Sequence, residues 1–332
     1  MRRLLCSGLC ALVAVVAVSA AATGYHVIGD IQIGGEGGWD YLTVDSAARR
    51  LYVSHATHVA VVDLDSNKVV GDIPDTPGVH GIAIAAELNK GFVSNGRGNN
   101  VTIFDLKTLK TTGTVATGEN PDSIRYDASS GRVFAFNGRS KSATAIDAKT
   151  GSVAGTIPLP GKPEFSVADG KGHVYVNIED TNEVVEIDAA KATMTKKYSL
   201  SPCDGPSGLA IDTKSRRLMS VCSNRVMAIS DPDAGKVVAT PAIGAGSDGA
   251  AFDPGTGYAF SSNGDGTLTI VQQAGGKWEV LENIATERGA RTIAVDEKTH
   301  KVYLPTAKTA PSQSGGRATF LPNTFKVLVV GK

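Results

Sequence analysis

Gly78 to Gly118 reads GVHGIAIAAELNKGFVSNGRGNNVTIFDLKTLKTTGTVATG, four short apolar runs set between turn signals. The runs are Ile82-Ala83-Ile84, Gly91-Phe92-Val93, Val101-Thr102-Ile103-Phe104 and Thr112-Gly113-Thr114-Val115. Each is too short for a helix and rich in β-branched or aromatic residues, so together they read as four antiparallel strands, a to d. Glu87-Leu88-Asn89-Lys90, Asn95 to Asn100 and Asp105 to Lys110 separate them. Gly and Asn there tolerate positive φ and Asp bonds its own turn, which makes these segments hairpin connections.

The pattern recurs. Aligned on the end of strand a, the copies place Asp45, Ala85, Asp127, Asp169, Asp212, Asp253 and Asp296 at spacings of 40, 42, 42, 43, 41 and 43 residues. Seven units of one period run along almost all of the 332-residue chain and argue for one closed body. An apolar content of 42% supports a large core and excludes a disordered or fibrous chain.

Arg2 and Arg3, an apolar run from Leu4 to Val18 and the small residues Ser19-Ala20-Ala21-Ala22 predict a secretory signal peptide over 1–22. The run is shorter than the ~20 residues of a membrane span, so a periplasmic or secreted location is expected. Without Arg2 and Arg3 the chain carries 31 basic against 33 acidic residues, about −2, and no basic run suggests nucleic acid. Two cysteines, Cys203 and Cys222, remain after the leader.

The units Tyr52-Val53-Ser54-His55, Phe92-Val93-Ser94-Asn95 and Tyr175-Val176-Asn177, each followed by a V-x-x-ID-like strand, resemble the YVTN repeat of secreted β-propellers. Within that group the chain looks similar to YncE-like periplasmic proteins, partly through its C-terminal LPNTFKVLVVGK, Leu321 to Lys332. Met219-Ser220-Val221-Cys222 and Ala259-Phe260-Ser261-Ser262 depart from the motif.

The resemblance implies an all-β, seven-bladed propeller over 25–332, with four antiparallel strands per blade. A lone four-stranded sheet buries neither face, whereas seven in a ring cover one another. The last unit lacks room for strand d, and Tyr25 to Gly34 has the look of a stray one. The N-terminal strand is therefore expected to close the last blade. Ala307 to Thr324, rich in Pro, Gly, Ser and Thr, breaks the period as an exposed insertion between strands b and c of that blade.

In a propeller strand a lines the central channel, and its start faces the same side as the b-to-c loops. Five residues before each aligned strand end stand Asp40, His80, Asp122, Glu164, Ser207, Asp248 and Arg291. Held in rotational register, they predict a site at the channel mouth for a divalent cation or a cationic or polyhydroxylated molecule. Carboxylates that merely bond the adjacent turn would produce the same recurrence. His55, His80, Asp40 and Asp122 are candidate metal ligands, a mixed nitrogen and oxygen set that suits zinc or copper. Trp39 and Tyr41 flank Asp40 and are placed either to stack on a ligand or to pack between blades. His26, His173 and His300 fall in the closing strand or on the opposite face. Cys203 precedes the strand a near Ser207 and Cys222 ends its partner, so a disulfide is expected there.

No C-x-x-C-H, G-x-S-x-G or phosphate-loop motif occurs. The leading expectation is an exported binding or scaffold protein that presents the mouth and the 307–324 insertion to a ligand or partner. The alternative is a lactonase-like hydrolase, with or without a metal, acting through His80, Asp122, Glu164, Asp248 and Arg291. A redox partner domain without a cofactor of its own follows only from analogy among propellers.

Overall fold

The structure, a computed structural model, describes residues 22–310 and 319–332. The expected leader lies outside these residues but for its last position. No helix among the described residues is long and apolar enough to cross a membrane.

Seven four-stranded antiparallel sheets form the ring. Their inner strands are Leu42–Asp45, Val79–Ala85, Pro121–Asp127, Pro163–Ala168, Pro206–Asp212, Ser247–Asp253 and Ala294–Asp296, and each touches the next around the channel. Blade 7 takes its outer strand from the other end of the chain: His26–Gln32 pairs with Lys326–Gly331, with Ile31 opposite Val327. The two chain ends thus close the circle as hydrogen-bonded neighbours.

The second and third strands show little polar alternation because each blade is covered there on both faces, whereas the outermost strands expose Val69, Val70 and Val153. In blade 1, Leu51 and Val53 pack toward blade 7 while Tyr52, between them, packs toward blade 2. Every blade boundary has a cluster of this kind, seven in all. Tyr52, Tyr175 and Tyr303, the aromatic residues of the repeat motif, are fully buried.

The polar end of the motif braces neighbouring blades. Ser94 donates to the carbonyl of Asp122, Ser262 to that of Arg291, and Asn177 to that of Ser207 at 2.9 Å. At the opposite end of strand a the recurring Asp caps its own hairpin: Asp45 accepts from the Ala48 amide, Asp212 from Lys214 and Asp253 from Gly255. Cations of the next blade lock several of these caps, as Arg49 does with Asp296 at 2.6 Å and Arg216 with Asp169 at 3.2 Å. His173 and His300 belong to this face, bonded to Asp169 and Asp253 at 2.9 Å each.

Cys203 and Cys222 are joined, with Cα atoms 5.5 Å apart, and tie the entry to blade 5 to its second strand. The closed loop of ~20 residues stabilises the fold by about 3 kcal/mol on the chain-entropy account. The insertion in blade 7 begins and ends as a short ribbon in which Thr309 bridges Phe320 and the Leu321 amide donates to Lys308. This ribbon lies over blade 1, where Phe320 packs on Trp39 with ring centroids 4.7 Å apart.

Candidate functional site

Strand a carries the candidate row to the channel mouth, and neighbouring blades hold its backbone there. Besides the Ser and Asn braces, Thr292 donates to the carbonyl of Asp40 at 2.7 Å and the Tyr41 amide to that of His80 at 3.1 Å. With these carbonyls engaged, the side chains project toward one another.

The structure brings Asp40, His80 and Asp122 into one cluster. His80 Nδ1 lies 2.6 Å from Asp40 Oδ2 and 3.6 Å from Asp122 Oδ1. Across the mouth Arg291 pairs with Asp248 at 2.5 Å, and Lys162 bridges Glu164 and Glu179 at 2.5 Å each. Ser207 stands apart, its hydroxyl donating to the Ser247 carbonyl in the channel wall at 3.2 Å.

None of the four carboxylates accepts a turn amide among the described residues, although the sequence admits that role. Asp122 is 9% exposed, and its Oδ1 has no hydrogen-bond partner there. Leaving such an acceptor buried and unsatisfied costs about 1–3 kcal/mol, so folding alone does not account for it.

The charges feel one another. Burial, together with the charges of Asp40 and Asp248, pushes the Asp122 carboxyl up to about 7 against the pull of His80. Burial and then Asp122 push Glu164 up to about 8. Asp248 rises only to about 6, mainly by burial, because Arg291 sits beside it. Burial would lower His80, yet its hydrogen bond to Asp40 and the charges of Asp122, Asp40 and Glu164 raise it to about 9. The mouth therefore sets an imidazole with a raised pKa among carboxyls whose pKa values are raised as well.

Below the charges the channel is plugged. One position after the candidate row stand Tyr41, Gly81, Ser123, Phe165, Gly208, Gly249 and Thr292. The two aromatic residues come from blades 1 and 4 and meet edge to face, centroids 4.8 Å apart, with the Arg125 guanidinium 5.4 Å from the Phe165 centroid. Small residues elsewhere in the row make room for them. Tyr41 is thus a floor to the site and not packing between adjacent blades.

Above and to one side opens a cleft of about 880 Å³, lined by Asp40, His80, Arg97, Asn120, Arg291, Val79, Trp39 and Phe320. Trp39 is 8% exposed, with Phe325 stacked on it at 5.2 Å and Phe320 tilted against it at 4.7 Å. Phe320, half-buried, forms the lip of the cleft.

His55 does not join the metal candidates. It is 1% exposed and packed on Phe325, with centroids 4.5 Å apart, and both ring nitrogens lack partners among the described residues. Burial drives its pKa down to about 4, so it is a neutral core side chain. His58 turns to the rim, 3.8 Å from Asp72.

Arg97, Asn120, Lys162, Phe165 and Phe320 escaped the sequence reading. The signal for Phe165 lay in the row beside the candidate one, and Lys162 stands two residues before Glu164. Asn120 holds the same repeat position as Lys162, and Arg97 matches Arg139 in a recurring Asn-Gly-Arg turn, whereas Phe320 comes from the insertion, which has no aligned counterpart.

No family model and no curated protein matches this chain. Solved structures do. The chain is similar to a Kuenenia stuttgartiensis hydrazine synthase structure, with 14% identity over 88% of this chain and 96% of that one, TM-score 0.70. It is similar to U3-55K, with 9% identity over 90% and 97% and TM-score 0.74. The WD40 repeats of RRP9 give 9% identity over 94% and 99%, TM-score 0.75. At such identities the likeness is one of fold, a seven-bladed, WD40-like propeller.

Proposed function

We propose that this chain is an exported binding protein of the YVTN-repeat, YncE-like kind, periplasmic or secreted, whose channel mouth takes a small polar ligand. The observation that carries the reading is the set of four carboxylates held above an aromatic floor with no turn to cap. Proteins keep such unfavourable arrangements where a ligand repays them. Arg97, Arg291 and Asn120 would bind the anionic or hydroxyl groups of the ligand, the carboxylates its donors, and Phe320 an apolar edge. The leader-like N-terminus and the Cys203–Cys222 bridge support export.

The lactonase-like alternative has less behind it. Of the residues it would use, Arg291 and Asp248 neutralise each other and His80 is tied to Asp40. No serine or cysteine beside a base stands at the mouth among the described residues; Ser207 is bonded to backbone.

Thermal-shift screening of the purified protein against saccharides, polyamines and amino acids tests the proposal. Hits should vanish in Arg97→Ala and Phe320→Ala while both variants melt near the wild-type temperature. A panel with no hit, or hits that survive both substitutions, would sink it.

A further inference from the structure

We infer that Asp40, His80 and Asp122 form a site for one first-row divalent cation, zinc by donor type, with an open coordination position facing the cleft. The inference rests on the mouth being the binding site and names an ion held at its base.

Three features point to a cation. One carboxylate oxygen from Asp40, one from Asp122 and a ring nitrogen of His80 all lie within 4.8 Å of one another, and Nδ1 is the nitrogen that faces both carboxylates. Donor atoms around a tetrahedral zinc at ~2.0–2.2 Å stand about 3.3 Å apart. The His80–Asp122 separation of 3.6 Å is already close to that, and the His80–Asp40 contact of 2.6 Å needs to open by less than an ångström. Asp122 Oδ1 is buried without a hydrogen-bond partner among the described residues and is aimed into the cluster. A cation supplies the partner it lacks.

The imidazole is also held in place. A Cβ at Gly96 would come 2.6 Å from His80 Nε2, so the ring edge rests on the Gly96 backbone and Nδ1 is presented to the carboxylates. Glycine at 96 is what permits that approach. Two carboxylates and one imidazole suit zinc or manganese better than calcium, which gathers six to eight oxygens. Asp40 and His80 also line the cleft, so a bound ion would have its fourth position open to a ligand oxygen there.

The test uses the secreted form of the full chain, stripped with EDTA and titrated with zinc chloride alone. One equivalent should bind with a Kd in the micromolar range or tighter. His80→Gln and Asp122→Asn should each weaken binding by roughly 30-fold or more, since even outer-shell partners of a metal site are worth about 10–100-fold. Glu183→Gln, in the third strand of blade 4 and paired with Lys197 away from the mouth, should stay within about threefold. Cobalt substitution should give visible absorption bands that His80→Gln abolishes. Melting curves without metal establish that each variant is folded, and Gly96→Ala, which displaces the ring without removing a donor, provides a second route to the same loss. Absence of one-equivalent saturation overturns the inference, as does Asp122→Asn binding zinc like the wild type, or Glu183→Gln losing as much as Asp122→Asn. Organic-ligand shifts that persist without zinc uptake overturn this inference alone; zinc uptake with no ligand sensitive to Arg97 and Phe320 overturns the cleft reading alone.

Discussion

The two ends of strand a carry the same residue type at the same period and use it in opposite ways. At the turn end, Asp296 caps its hairpin, accepts from Thr299 and pairs with Arg49 of the next blade, its side chain fully buried. Against burial, hydrogen bonds from Ser46, Thr299 and Arg49 hold its carboxyl down at about 2. At the mouth end, Asp122 and Glu164 are buried too, yet no backbone amide meets them and their carboxyls are pushed up. Recurrence of an acidic residue in a repeat therefore does not identify its role. What separates the two here is whether the carboxylate's own hairpin caps it, as at Asp296, or leaves it to the other charged side chains of the mouth, as at Asp122 and Glu164.

The largest effect should come from the turn end. Asp296→Ala leaves Arg49 without its buried partner at the ring closure and should cost about 3–5 kcal/mol in denaturant unfolding. The matched change at the mouth, Asp122→Asn, should leave metal-free stability unchanged or raise it. If the two variants lose equal stability, the contrast between the ends is wrong.

Next in size, Gly96→Ala should cost about 1–3 kcal/mol, because the new methyl group meets the His80 ring. His80→Ala in the same chain should restore most of that loss, a coupling that unfolding of the single and double variants would read.

Smaller again is the pH dependence. Glu164 and Asp248 have folded pKa values above the ordinary range, so the folded state holds their protons more tightly than the unfolded chain. Their contribution is full below about pH 4 and is lost as pH rises through 6 to 8. Asp296 has the opposite sign: its contribution is present above about pH 4 and lost as pH falls toward 2. Melting temperature should therefore decline on both sides, and Glu164→Gln should flatten only the alkaline decline. A Glu164→Gln profile parallel to the wild type from pH 5 to 9 would contradict this.

The smallest stability effect belongs to Arg97→Ala, within about 0.5 kcal/mol because Arg97 is exposed and makes no ion pair among the described residues. Its effect should appear in ligand binding instead.

The ring was legible in the spacing of Asp45 to Asp296 and in short apolar runs bounded by turn signals, because the period is written directly in residue order. Closure by His26–Gln32 was legible too, since the last unit lacked a strand and the first residues supplied one. The mouth was legible as a row, as strand register puts equivalent positions at one level of the channel. The grouping with His55 was not: its neighbours in the chain said nothing of Phe325, which reaches it from blade 7. For Trp39 the sequence left stacking on a ligand and packing between blades both open, and Phe320, a residue some 280 positions away, covers it.

By itself the sequence determined the period, the strand count and the level of each candidate side chain, all of which follow from local pattern repeated along the chain. Only the tertiary structure decided which of the acidic residues found donors, that Tyr41 and Phe165 close the channel beneath them, and that three of the row converge at His80. Those outcomes depend on contacts across the ring, between residues whose separation in the chain carries no record of their meeting.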